Sequence, residues 1–216
     1  MDFAQARFNM IEQQVRPCDV LDRRVLQVMA ANPREDYVPE AQRALAFADL
    51  ELPLPHGQQM LAPKIEGRIL QAVHPRSHDR VLEIGTGSGY LTACLASLAA
   101  HVTSVDIYPD FSTEAGYRLA AHDKENVSLR TGDAAKGWDT NERFDAIVVG
   151  GSLPVEHDGF ARLLKDGGRL FLVTGTAPLM RAWLITRRGQ GFSRERLFET
   201  ELPPLLNAPA PGGFAF

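Results

Sequence analysis

Cysteine is scarce in this chain. Cys18 and Cys94 are the only two in 216 residues, and they lie far apart. That excludes a small fold stapled by disulfides and points to a reducing, cytoplasmic setting. Cys94 falls on the apolar face of a helical pattern, as a small core residue does. No apolar run reaches the ~18 residues of a membrane span. The first residues carry Asp2, Gln5 and Arg7 where a signal peptide would be apolar. Positive charge is not in excess: the net charge of −4 gives no electrostatic pull toward nucleic acid or an anionic membrane. The six histidines show no close paired spacing with cysteine or carboxylate, so no metal site is expected. A Ser-His-Asp or Cys-His constellation is also lacking. What remains is ordinary: 44% hydrophobic and 23% charged residues, enough for a single domain with a sizeable core.

The most informative stretch is Val81-Leu82-Glu83-Ile84-Gly85-Thr86-Gly87-Ser88-Gly89-Tyr90. An apolar run suited to a buried strand leads into three alternate glycines, and Leu91 to Ala96 continue at helical spacing. Strand, glycine turn and helix together present main-chain N–H groups and a helix N-terminus to a nucleotide-like ligand. Glycine permits positive φ and close approach of ligand to backbone. The dinucleotide pattern G-x-G-x-x-G fails here, because its third glycine falls on Tyr90. A nicotinamide dehydrogenase is therefore disfavoured. Acid-x-G-x-G-x-G, with Glu83 as the acid, resembles motif I of the class I S-adenosylmethionine-dependent methyltransferases. That cofactor has no phosphate and a cationic sulfonium, and a carboxylate at Glu83 suits its methionine end.

Along the chain, residues 1 to about 50 read as helical. Phe3, Ala6, Met10, Ile11 and Val15 form a stripe that Pro17 interrupts. Asp22 is placed to cap a second helix that ends before Pro33. The segment 33–39 reads as a connector, and the helical part as a cover or lid. Residues 51–63 are too rich in proline and glycine for regular structure. Pro63 suits the first turn of a helix bearing Ile65, Ile69, Leu70 and Val73. Strands then alternate with helices: strands near 80–84, 101–107, 127–131, 144–149 and 168–174, helices near 90–100, 112–122 and 155–165. Alternation of this kind predicts an α/β fold with a doubly wound, mostly parallel sheet. Residues 181–187 and 192–200 predict a closing antiparallel hairpin. The chain reads as one domain, 1–216. Residues 1–63 form a helical cover and substrate loop, 64–200 a cofactor-binding core, and 201–216 a proline-rich tail expected to fray.

Ligands of open α/β sheets bind beyond the carboxyl ends of the strands. The first strand end gives Glu83, Gly85, Thr86, Gly87 and Gly89. The second gives Asp106, whose carboxylate can accept from both ribose hydroxyls. The third gives Gly132, Asp133 and Ala134, with Asp133 facing an adenine amino group. The fourth gives Gly150, Gly151 and Ser152. Here two glycines leave room for a substrate group, and Ser152 either donates to it or caps the next helix.

The order of segments resembles the protein-L-isoaspartate O-methyltransferase family over nearly the whole chain. Leu82–Tyr90 matches that family's Leu-Glu-Ile-Gly-Thr-Gly-Ser-Gly-Tyr run residue for residue. Pro33-Arg34-Glu35-Asp36-Tyr37-Val38-Pro39 is similar to its Pro-Arg-x-x-Phe-Val-Pro, Phe47-Ala48-Asp49 to its Tyr-Ala-Asp, and Phe144–Ile147 and Gly167–Leu170 follow in place. The resemblance implies a Rossmann-like methyltransferase fold and S-adenosyl-L-methionine as cofactor. It also implies isoaspartyl proteins or peptides as substrates, their α-carboxylate being methylated in protein repair. In the loop Gly57-Gln58-Gln59-Met60-Leu61-Ala62-Pro63, Leu61 stands where the family carries its serine, so the resemblance supplies no catalytic side chain. Gln58, Leu61, Gly150 and Ser152 are the expected substrate-side residues. Two alternatives remain open at this point: a methyltransferase of small molecules, and a cofactor-binding protein without catalysis.

Overall fold

The structure, a computed structural model, describes residues 2–210. Helix α1 (Phe3–Met10) starts at Asp2, whose side chain accepts the Gln5 N–H. It widens over Ile11–Val15, tightens over Arg16–Cys18 at Pro17, and stops at Asp19 with φ 64°. Helix α2 (Arg23–Ala31) is capped as expected by Asp22, which accepts the Arg24 N–H at 2.9 Å. Beyond it the expected helicity gives way to two short tight turns, Arg34–Tyr37 and Glu40–Leu45. Pro33 and Pro39 each precede one of them, where proline restricts the preceding residue and removes a donor.

The loop region is more ordered than its composition suggests. Strands β1 (Leu52–Pro53) and β2 (Gln59–Met60) pair antiparallel across the turn Pro55–Gly57. Helix α3 (Pro63–Val73) follows with Pro63 in its first turn. It packs tightly on the N-terminal segment: a Cβ on Gly67 would lie 2.9 Å from a Val15 methyl.

The main sheet contains β3 (Arg80–Ile84), β4 (His101–Asp106), β5 (Val127–Thr131), β6 (Phe144–Leu153), β7 (Leu164–Thr176), β8 (Leu179–Arg188) and β9 (Gly191–Glu199). Its order is β5-β4-β3-β6-β7-β8-β9. The first five neighbours pair in parallel, and β8 and β9 close the sheet antiparallel. Helices α4 (Tyr90–Ala96) and α5 (Pro109–Ala121) connect β3 to β4 and β4 to β5. The strand alternation divides the core between two faces. Val81, Ala146 and Val148 pack on one side with α1 to α4, and Leu82, Ile147 and Val149 on the other.

One predicted helix is absent. Residues 155–165 form a turn and a single tight loop at Ala161–Leu163, and β7 begins at Leu164. A Cβ on Gly159 would sit 2.2 Å from the Lys136 carbonyl, and Leu164 pairs with Phe144 in the sheet. Those long-range contacts override the helical spacing of the apolar residues. The tail also departs from expectation. Leu202 is 3% exposed, and Pro204 bridges to Ser152. Residues 202–205 therefore lie docked at the end of β6, while the aromatic end, Phe214 and Phe216, falls outside the described residues.

Candidate cofactor and substrate site

The chain winds β3, β4, β5 outward on one side and then crosses to β6 on the other. The strand ends of β3 and β6 are thus the switch point of the sheet, where a crevice forms. Gly85 and Gly150 meet there: a Cβ on Gly150 would lie 3.0 Å from the Ile84 carbonyl. A cavity of about 110 Å³ runs over this edge. Its floor is the glycine turn. Gly85 and Gly87 have φ of 94° and 50°, which only glycine adopts readily. An added Cβ at Gly85 would meet nothing closer than the Gly150 Cα at 3.8 Å, so the turn is open to a ligand.

Asp106 sits at the end of β4. Its Oδ2 accepts the Gly87 N–H at 2.9 Å and its Oδ1 the Tyr108 N–H at 3.0 Å. Burial raises its carboxyl above the usual range, opposed by these backbone donors. Gly132, Asp133 and Ala134 line the same cavity at the end of β5. Asp133 accepts the Ala135 N–H through Oδ1 and the Asn207 side chain through Oδ2, both at 2.9 Å. Gln58, Leu61 and Gly150 also line this cavity.

Three expected cofactor residues stand behind the wall instead. Glu83 is fully buried and pairs in register with Ser104. Its Oε2 accepts from Thr92 and Ser104 at 2.5 and 2.7 Å, on the face under α4. Burial pushes its carboxyl up to about 7. A direct contact with the methionine end of a cofactor is corrected accordingly: Glu83 ties α4 and β4 to the turn. Thr86 is hydrogen-bonded to Ser104 at 2.6 Å. Gly89, with φ 86°, begins α4 against Ala115, whose Cβ would be 2.9 Å from a Cβ placed there.

Ser152 needs the second correction. No helix follows it to be capped, and its hydroxyl donates to the Leu202 carbonyl at 2.8 Å. Its backbone N–H donates to Pro203, and its carbonyl accepts from Leu205. The room expected at Gly151 is filled: a Cβ there would lie 2.8 Å from a Leu205 methyl, so that glycine admits the tail, while Gly150 lies against the Ile84 carbonyl at the cavity edge.

Sequence reasoning missed several wall residues. Tyr108 and Phe111 line the cavity just past Asp106, and His56 stacks on Tyr108 at 3.9 Å while hydrogen-bonded to Asp110 at 2.8 Å. The substrate loop is thereby pinned to α5. The tail contributes Pro203 to Leu206. A second cavity of about 430 Å³ lies beside the first, lined by Ser152, Met180 and Glu201 among others. Glu51, Gln59, Pro203 and Pro204 border both. The signal for Tyr108 and Phe111 was available, since they directly follow a strand-end acid. Nothing in the sequence singled out Glu51 or the tail.

A second buried network holds the loop. Arg34, fully buried, donates to the Ala46 and Leu61 carbonyls at 2.8 and 2.7 Å and forms an ion pair with Glu66 on α3. Burial raises the Glu66 carboxyl, and the Arg34 guanidinium opposes that rise. The backbone of the loop is thus fixed at the residue, Leu61, that faces the cavity.

The model of the family described as protein-L-isoaspartate (D-aspartate) O-methyltransferase matches residues 5–200. A protein-L-isoaspartate O-methyltransferase of Rhodopseudomonas palustris is 36% identical, with 94% of this chain and 97% of that protein covered. One of Koribacter versatilis is 33% identical over 94% and 92% of the two chains. Among solved structures, a Plasmodium falciparum protein-L-isoaspartate O-methyltransferase in complex with S-adenosyl-L-homocysteine superposes with a TM-score of 0.78 at 20% identity, covering 92% of this chain and 97% of its own. The seven-stranded sheet is that of this fold, with the parallel strands and antiparallel close read from the sequence. This chain belongs to the protein-L-isoaspartate (D-aspartate) O-methyltransferase family.

Proposed function

We propose that this protein is an S-adenosyl-L-methionine-dependent O-methyltransferase that acts on the α-carboxylate of L-isoaspartyl residues in damaged proteins. The observation that carries the reading is the open glycine turn at the sheet's switch point, walled by Asp106 and Asp133. Among the described residues, no lysine, arginine or histidine lines that cavity, which suits a cofactor with no phosphate and a cationic sulfur. When bound, the cofactor supplies an electrophilic methyl group.

The chain's own residues do the rest. Gly85, Gly87 and Gly132 let the main chain approach the ligand. Asp106 accepts from the ribose hydroxyls with the lone pairs its backbone donors leave, and Asp133 with Ala134 meets the adenine edge. Glu83, Thr86 and Gly89 hold the turn from behind. Gln58 and Leu61 close the substrate side. A substrate carboxylate is already ionised near neutral pH and needs no general base. Alignment alone lowers such barriers by roughly 7–11 kcal/mol. The reading takes residues 1–216 as one domain in the cytoplasm, where Cys18 and Cys94 stay free thiols.

A second reading, transfer to a small carboxylic acid, is favoured by one observation: neither Leu61 nor the committed Ser152 offers a hydroxyl to an isoaspartyl group. Tritium transfer from labelled cofactor to an isoaspartyl peptide, set against its aspartyl twin, decides between them. Preferential labelling of the isoaspartyl peptide supports the proposal; equal background on both rejects it.

A further inference from the structure

The border between the two cavities is chemically unusual for a site that takes an anion. Glu51, Gln59, Pro203 and Pro204 are the residues common to both. The larger cavity, like the smaller, has no lysine, arginine or histidine among its described lining residues, and it adds a second carboxylate, Glu201. Glu51 is half-buried and makes no ion pair or side-chain hydrogen bond with another described residue. The Ser152 hydroxyl is spent on the Leu202 carbonyl. A carboxylate entering from the larger cavity toward the glycine turn meets the Glu51 carboxyl at this border, beside the Gln59 amide. Two carboxylates brought into contact in a partly buried site repel each other, and sharing a proton relieves that repulsion.

We infer that Glu51 in its acid form donates a hydrogen bond to the substrate carboxylate and so positions it for methyl transfer. This rests on the proposed isoaspartyl activity and assigns that site its donor. Burial raises the Glu51 carboxyl even without substrate, which favours the same protonation state. An O–H···O⁻ bond between two carboxyl groups is short and charge-assisted. The bond orients one substrate oxygen and leaves the other facing the methyl carbon. That second oxygen forms the O–CH₃ bond as the carbon–sulfur pair stays on sulfur. The Glu51 proton remains on Glu51 through the step, so no base and no further reactant is needed. The opposite assignment, Glu51 as an ionised base, would suit a hydroxyl or amine nucleophile and predicts the opposite pH trend.

The test compares wild type, Glu51→Gln and Glu51→Ala by two readouts. The first is the pH profile of kcat/KM on an isoaspartyl peptide. Wild type loses rate on the alkaline side; Glu51→Gln, which keeps an N–H donor at every pH, stays active and loses that limb. Glu51→Ala falls by about 10- to 100-fold, the worth of one hydrogen bond to a charged group. The second readout is calorimetry of the same peptide with S-adenosyl-L-homocysteine present, repeated in buffers of different ionisation enthalpy. Binding takes up protons near neutral pH in wild type and not in Glu51→Gln. An unchanged pH profile in Glu51→Gln, or equal proton uptake in both, overturns the assignment. So does a loss confined to cofactor affinity, which would make Glu51 a cofactor residue. Should wild type bind and methylate only small acids, the isoaspartyl reading fails while proton uptake with those acids still judges Glu51.

Discussion

Replacing Arg34 by methionine would expose how much of the site depends on one buried cation. The guanidinium is fully buried, pairs with Glu66 and satisfies the carbonyls of Ala46 and Leu61. It also lies 5.0 Å from the centre of the Tyr90 ring. Methionine fills similar volume but leaves Glu66 buried without its cation, at about 3–5 kcal/mol for a broken buried pair. For a chain of this size that corresponds to a Tm lower by about 6–20 °C. The double variant Arg34→Met/Glu66→Met removes both charges, and such replacements are often neutral or stabilising. Here two carbonyls stay unpaired, each at about 1–3 kcal/mol, so recovery is expected to be partial. A thermal and urea double-mutant cycle measures this directly. The expected result is strong coupling, with the double variant more stable than Arg34→Met alone. Additive losses, or a cost below ~1 kcal/mol for Arg34→Met, would refute the view that this pair anchors the loop.

Further expectations concern the turn, the acid behind it and the tail. Glu83 has a folded-state carboxyl pushed up to about 7 against an ordinary 4.5, so its contribution favours the fold below pH 4.5 and is lost as pH rises through 7. Urea midpoints should therefore fall across that window in wild type and fall less in Glu83→Gln; parallel curves would contradict this. Gly89→Ala forces a Cβ at φ 86° against Ala115, and a loss of at least about 1 kcal/mol with weakened cofactor binding is expected by calorimetry. Asn207→Ala frees one Asp133 oxygen, and the affinity for S-adenosyl-L-homocysteine should change with little shift in Tm, since the bond is exposed. Equal affinities would show that the Asn207 bond to Asp133 does not bear on cofactor binding.

The core of the fold was legible because its strands are short, apolar and bounded. Arg80–Ile84 and Val127–Thr131 fall where the sequence places them. The sequence pattern ends β6 at Val149, because the glycines that follow look like a strand end, whereas the strand runs on to Leu153. In the structure they let β6 continue past the Ile84 carbonyl and under the tail. The false helix at 155–165 shows the reverse error, where local spacing lost to sheet pairing of Leu164. Tail docking had no local signal at all. It depends on Ser152 offering its hydroxyl, N–H and carbonyl to residues some fifty positions away, and a proline-rich segment carries no periodicity from which to read that.

The acids make the clearest case of what composition and order can and cannot convey. In the sequence three strand-end carboxylates look like three cofactor contacts, yet the fold gives them different work. Asp106 and Asp133 face the cavity; Glu83 lies one residue short of the strand end and turns beneath α4. Position along the strand decides this: Asp106 shares the parity of Ser104 but lies past the last residue of β3, where the cavity begins. Glu83 and Ser104, paired in register, share the hidden face and hydrogen-bond there. Glu51, which has no motif around it in the sequence, directly precedes β1, and it borders both cavities beside β2's Gln59. Position in the chain therefore fixes what a carboxylate can reach, while the three-dimensional fold fixes its charge. Burial at Glu51 raises its carboxyl and so favours the protonated form that a hydrogen bond to a substrate carboxylate requires.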